Sequence, residues 1–232
     1  MSARALAVLA VTTGLLLSGA ADASPRQGRA AAQDLDLVTS AHPTPLRRDD
    51  SDSADAVVAA RGDAVKADAV ATTATTCDGC HGESSTLQVI YVASPGSARL
   101  DNVASAWTQD CWDCSATALA VQLVVVGSGT RARPNNQALA VGAACATCRT
   151  ATAAFQLVVQ VAEVGPLPAA TLGELRAWFD AEAAALRASV AAASPRRRGA
   201  ERAATRSLLE LRGMVVAELD GRTLSARAQV TR

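Results

Sequence analysis

Six cysteines stand in three Cys-x-x-C pairs, Cys77 with Cys80, Cys111 with Cys114 and Cys145 with Cys148, and each pair opens 34 residues after the one before. Two thiols three residues apart suit four kinds of chemistry. Cys77-Asp-Gly-Cys80-His81 has the form of a c-type haem attachment site, in which two thioethers anchor the ring and the histidine ligates iron. Two such pairs could supply the four thiolates of a tetrahedral zinc site. A single pair with a lowered thiol pKa carries out thiol–disulfide exchange. Outside the cytosol, the same pairs serve as structural disulfides that reinforce a thin core.

The regular spacing weighs among these. The residue after the second cysteine is His81 in the first unit but Ser115 and Arg149 in the others, and the only other histidine is His42. A haem motif would therefore occur in one copy of a position used three times. Three pairs leave one over after a four-thiolate zinc site, and a thioredoxin-like centre occurs once per domain ahead of a helix. Disulfides closed within each Cys-x-x-C, at Cys77–Cys80, Cys111–Cys114 and Cys145–Cys148, are the simplest arrangement that respects the repeat. No catalytic, cofactor-binding or metal-ligating set is expected, and no cofactor.

Each pair is followed, 11 residues after its first cysteine, by a glutamine in an apolar run: Gln88, Gln122 and Gln156. The runs Leu87–Val92, Leu119–Val126 and Phe155–Val159 are short and rich in β-branched residues, which predicts buried strands. If the strands repeat by translation, the long connections between them make them parallel, right-handed neighbours. Leu87, Val89 and Tyr91 then share one face with Leu119, Val121, Leu123 and Val125 and with Phe155, Leu157 and Val159. The three glutamines lie in register on the other face, where their amides can form a ladder. Asn102 and Asn136 are read as N-caps of short helices leading into the next cysteine pair. The expected fold class is thus α/β: a small three-unit strand-helix repeat with parallel strands over 65–164 (units near 77–110, 111–144 and 145–164), then a C-terminal α-helical hairpin over 165–220. The last unit diverges, as a capping repeat should.

The flanks are read from composition. Met1–Arg4, an apolar stretch to Leu17 and a small-x-small site ending at Ala23 predict a signal peptide over 1–23, hence a secreted or cell-envelope protein. Residues 24–64, with Pro25, Pro43, Pro45 and the acidic run around Asp49-Asp50-Ser51-Asp52, read as a disordered leader. After Gly165, Thr171-Leu-Gly-Glu174 reads as a capping box. Leu172, Leu175, Phe179, Ala183, Leu186 and Val190 follow at helical spacing, and Ala204, Leu208, Leu211, Val215 and Leu219 mark a second helix. The tail, 221–232, has no assigned structure. Acidic and basic residues balance at 22 each, which removes the electrostatic case for nucleic acid as partner.

The stretch from Cys111 through Gln122 and its valines, then Asn136-x-Ala-x-Ala140, Cys145-x-x-Cys148 and Phe155-Gln156, resembles a Cys-x-x-C/Gln repeat module of exported or membrane-attached actinobacterial proteins. Some of these carry the label of peptide zinc metalloproteases. The resemblance covers about residues 65–190 and implies no protease activity, since a zincin needs His-Glu-x-x-His and this chain has two histidines in all. The expected function is an exported, non-catalytic structural or interaction module held by disulfides. Its partner would be an unidentified protein or envelope component, with no membrane span after signal cleavage. A thiol-redox or c-type haem protein is the alternative.

Overall fold

Every second residue from Ala98 to Thr108 is apolar or small and buried, and this period of two makes the segment a strand. Each 34-residue unit accordingly contains two strands and no helix, which overturns the expected strand-helix repeat. The computed structural model describes residues 33–93, 96–191 and 197–232. The predicted signal peptide, 1–23, lies outside the described residues.

Residues 33–161 form a parallel β-solenoid of about four turns. Its strands in chain order are β1 (Gln33–Asp34), β2 (Leu37–Ala41), β3 (Asp49–Ala60), β4 (Ala64–Thr75), β5 (His81–Val92), β6 (Ser97–Gln109), β7 (Ser115–Gly127), β8 (Arg131–Ala143) and β9 (Arg149–Val161). One sheet stacks β1 and β2 on β4, then β6 and β8; the other stacks β3, β5, β7 and β9. Two helices follow, α1 (Ala169–Ala191) and α2 (Arg197–Leu219), and then β10 (Arg222–Thr231), which pairs antiparallel with β9.

Three layers result. Between the two sheets the side chains are small: at the cysteine end the apolar packing is alanine, Ala71, Ala104, Ala106, Ala116, Ala118, Ala120, Ala138 and Ala154, beside buried Thr73 and Ser84, whose hydroxyls hydrogen-bond at 2.8 Å. At the other end the larger Ile90, Val92, Leu100, Val124, Val126 and Val158 form the packing. The outer face of the β3–β9 sheet carries Leu87, Val89, Tyr91, Leu119, Val121, Leu123, Val125, Phe155, Leu157 and Val159, and the helices cover it with Leu175, Trp178, Phe179, Leu186, Leu211 and Val215. Phe155 meets Trp178 edge-on with ring centroids 5.5 Å apart, and the Tyr91 hydroxyl accepts the Leu167 N–H at 2.9 Å. The face shared by the three apolar runs is the one expected from their sequence.

Several boundaries differ from expectation. The part of the expected leader from 33 to 60 is ordered as β1–β3, because its acids are consumed at the solenoid's first coil. Asp52 accepts the Ser40 N–H and Asp50 the His42 N–H, each at 2.7 Å, so carboxylates of β3 satisfy the open edge of β2. Helix α1 begins two residues before Thr171, with the Leu172 N–H donating to Pro168 O at 3.0 Å; Thr171 is buried inside the first turn and caps nothing. The unassigned tail is β10. Its Gln229 accepts the Ala138 N–H at 3.1 Å and its Thr231 hydroxyl donates to Ala138 O at 2.9 Å, so β10 closes part of the β8 edge as well as pairing with β9. No helix among the described residues is long and apolar enough to cross a membrane.

Candidate functional site

Each of the last three coils turns from one sheet to the other through a Cys-x-x-C corner: Thr76–Cys80 between β4 and β5, Asp110–Cys114 between β6 and β7, and Ala144–Cys148 between β8 and β9. The corners stack because the strands on either side stack. His81 pairs with Ser115 and Ser115 with Arg149, one coil apart each time. Hydrogen bonds run on through the corners themselves: Gly79 N–H to Trp112 O at 2.8 Å, Ser115 N–H to Cys80 O at 2.9 Å, Asp113 N–H to Ala146 O at 3.1 Å and Arg149 N–H to Cys114 O at 3.0 Å. The third residue of each Cys-x-x-C is left-handed, Gly79 at φ 60°, Asp113 at 48° and Thr147 at 60°. This turn brings the two sulfurs of a corner toward each other.

Cys77 is bonded to Cys80 and Cys111 to Cys114, as the repeat predicts. The third pair differs. Cys145 and Cys148 are thiols, and their sulfurs face the Cys111–Cys114 bridge of the coil beside them. Cys145 Sγ lies 3.6 Å from Cys111 Sγ and 3.9 Å from Cys114 Sγ, and Cys148 Sγ lies 2.8 Å from Cys114 Sγ and 3.7 Å from Cys111 Sγ. The reason is the stacking itself: neighbouring coils are one strand spacing apart, about 4.8 Å, so the side chains of one corner reach those of the next. All four sulfurs lie within 4.8 Å of one another, a set whose chemistry also fits a soft metal ion.

The two pairs differ in environment. Cys111 and Cys114 are buried, whereas Cys145 and Cys148 on the last coil are partly exposed. Burial opposes ionisation of Cys145, but hydrogen bonds from Cys148, from the Thr108 hydroxyl and from the backbone at Cys111 and Ala143 outweigh it and bring that thiol below its ordinary value. Cys148 is pushed up, by burial first and then by Cys145. The Thr108 hydroxyl is buried beside both thiols and has no other partner among the described residues.

A groove of about 440 Å³ opens on this corner, with Cys114, Asp113, Ser115, His81, Glu83, Arg149 and Arg187 among its walls. His81, the histidine of the haem-like motif, places Nδ1 2.9 Å from Ser115 Oγ. Both thiols that a haem would need are joined to each other. Arg149, at the equivalent position, donates to Val190 O at 2.8 Å and Ala191 O at 3.0 Å, closing the C-terminus of α1 against the corner.

The glutamines form the expected ladder. Gln156 Nε2 donates to Gln122 Oε1 and Gln122 Nε2 to Gln88 Oε1, each at 2.8 Å. The same amides reach across the interior to Ala67 O at 3.0 Å and Leu100 O at 3.1 Å. Facing them is a second ladder that the sequence reading missed. Asn102 and Asn136 are not helix caps but inward residues of β6 and β8. Asn102 Nδ2 donates to Asn136 Oδ1 at 2.6 Å and to Ala120 O and Phe155 O on the opposite sheet at 3.1 and 3.0 Å. Its signal was present in the 34-residue spacing of the two asparagines and the alternating alanines after them.

No protein-family model matches this sequence, and comparisons with curated proteins and with solved structures return no match.

Proposed function

We propose that the chain is an exported, non-catalytic structural or interaction module: a rigid solenoid held along one corner by disulfides, presenting its uncovered sheet to an unidentified protein or envelope component. The observation that carries this reading is the stack of Cys-x-x-C corners. Each occupies the same position in its coil, is joined to its neighbour by backbone hydrogen bonds, and links the two sheets at the end of their interior where the apolar side chains are alanine. Alanine buries little apolar area, so this core contributes little per residue and a covalent tie at the corner counts for more.

The helices cover the outer face of the β3–β9 sheet and β10 extends that sheet beside β9, which leaves the outer face of the β4–β6–β8 sheet as the broad surface for a partner. That face mixes charge and apolar groups: Lys66 with Asp68 at 2.9 Å, Arg99 with Asp101 at 3.0 Å, and the exposed Leu139 and Val141. Export rests on the signal-like segment of residues 1–23 and on cysteines that are oxidised in two of three pairs.

The test is intact mass of the purified secreted protein before and after reduction and alkylation, with thermal unfolding followed in both states. Disulfides within the Cys-x-x-C pairs, no prosthetic group and a lower melting temperature on reduction are expected. A bound haem, or a melting temperature indifferent to reduction, overturns the reading.

A further inference from the structure

We propose that the last two corners form a dithiol–disulfide relay, in which the partly exposed Cys145–Cys148 pair and the buried Cys111–Cys114 pair exchange a disulfide across one strand spacing. This goes beyond the staple reading, because it makes one staple chemically reachable from the surface.

Geometry comes first. Both sulfurs of the buried bridge lie within 3.9 Å of Cys145 Sγ, and Cys148 Sγ touches Cys114 Sγ at 2.8 Å. A thiolate attacks a disulfide in line with the bond it breaks. Cys145 approaches from the side, so a rotation of its partly exposed side chain precedes attack. The environments then divide the roles. Cys145, the thiol brought below its ordinary value, lies on the partly exposed coil beside the buried Thr108 hydroxyl, and Cys148 Sγ lies 2.8 Å from Cys114 Sγ, the sulfur that must leave.

The steps balance without an outside oxidant. The Cys145 thiolate, its proton released to solvent, attacks Cys111 Sγ; the Cys111–Cys114 bond breaks, and its electron pair leaves on Cys114, which takes the Cys148 proton. A Cys111–Cys145 mixed disulfide joins the two coils. The Cys148 thiolate then attacks Cys145 Sγ and expels Cys111, which takes a proton from solvent. The net result is a Cys145–Cys148 disulfide and a Cys111/Cys114 dithiol: two electrons and two protons have moved one coil inward. An external dithiol can reduce the exposed bridge again and so empties the buried one in two stages. Trp112, between Cys111 and Cys114 and 59 % exposed, reports the state of that bridge by its fluorescence.

The experiment uses the full chain with Cys145 and Cys148 reduced and dithiothreitol as the dithiol. Reduction of Cys111–Cys114 is followed by Trp112 emission and by mass-tag alkylation, with expectation of at least a tenfold slower rate in Cys145→Ser; Cys145→Ala is the second variant should the first melt below the assay temperature. In the double variant Cys114→Ser/Cys148→Ser, oxidised glutathione should yield linked Cys111 and Cys145 peptides in a non-reducing digest. Equal reduction rates with and without Cys145 overturn the relay, as does a stoichiometric zinc ion that survives gel filtration and is lost in Cys145→Ser. The staple reading is tested separately by melting temperature, so a relay that fails leaves it standing and a staple that fails does not mimic a failed relay.

Discussion

Gln156 donates its side-chain N–H to Gln122 Oε1 at 2.8 Å, and the two residues are exact counterparts one coil apart. The donation runs in one direction through three coils. Each amide therefore depends on the next, and the last carbonyl in the series, Gln156 Oε1, is buried with no partner among the described residues.

Gln122 sits in the middle of that series, bonded on both sides and to Ala67 O. Replacing it with leucine leaves the buried Gln88 side-chain carbonyl without this donor and takes one of the two acceptors of the Gln156 amide, which keeps Leu100 O, at a cost of about 2 to 4 kcal/mol. Gln156→Leu takes a donor from Gln122 Oε1 and from Leu100 O but removes a carbonyl that was already unpartnered, so it should cost less. Urea unfolding of the two variants should preserve this order. Replacing all three glutamines together should cost less than the sum of the single changes, since no half-satisfied amide remains.

Reduction of the disulfides supplies a second expectation. A Cys-x-x-C ring closes a very short loop and is worth roughly 2 kcal/mol in unfolded-chain entropy. The double variant Cys77→Ala/Cys80→Ala should lose about that much, and the loss should vanish when wild type and variant are compared in excess reductant. Differential scanning fluorimetry with and without reductant reads both.

Ala144 opens the last corner at φ 50° and is exposed, so its methyl group makes no compensating contact. A left-handed L-residue costs roughly 1 to 2 kcal/mol, part of which glycine gives back as unfolded-state entropy. Ala144→Gly should therefore raise stability by about 0.5 to 1 kcal/mol in a denaturant titration.

Glu182 on α1 is half-buried, near Ser207 and Glu210 of α2. Burial, and after it the Glu210 carboxylate, raises its pKa above the ordinary glutamate value of 4.5, while the Ser207 hydrogen bond works the other way. The native state then holds the proton more tightly than the unfolded chain, so stability falls as pH rises from 4.5 through the raised value and the penalty is complete above it. Glu182→Gln should melt higher than wild type at neutral pH, with the difference shrinking as pH drops toward 4.5. A constant difference across that range would remove burial of the carboxylate as its cause.

Legibility in the sequence followed residue volume. The strands β5, β7 and β9 were visible because Leu, Ile, Val and Phe crowd both of their faces, one toward the helices and one toward the interior. The strands β4, β6 and β8 were not, because their inward positions are mostly alanine, asparagine and threonine, residues that serve equally well in helices or caps. Asn102 illustrates the ambiguity. As a side chain alone it is a good N-cap; only when β6 lies beside β8 does it meet Asn136 and reach the carbonyls of the opposite sheet. The acids of β3 misled in the same way, since Asp50 and Asp52 look solvated until β2 presents its N–H groups to them.

From its sequence alone this protein is committed to a 34-residue repeat, to cysteine pairs at one structural position, to a register that aligns Gln88, Gln122 and Gln156, and to two amphipathic helices after the repeat. These are properties of spacing and side-chain type, which the chain carries whether folded or not. Tertiary structure alone decided that the connections are strands, that both ends are closed by polar side chains from β3 and β10, and that Cys145 and Cys148 face their neighbours' disulfide. Each of these depends on one coil lying a strand spacing from the next, so that groups 34 residues or more apart come into contact.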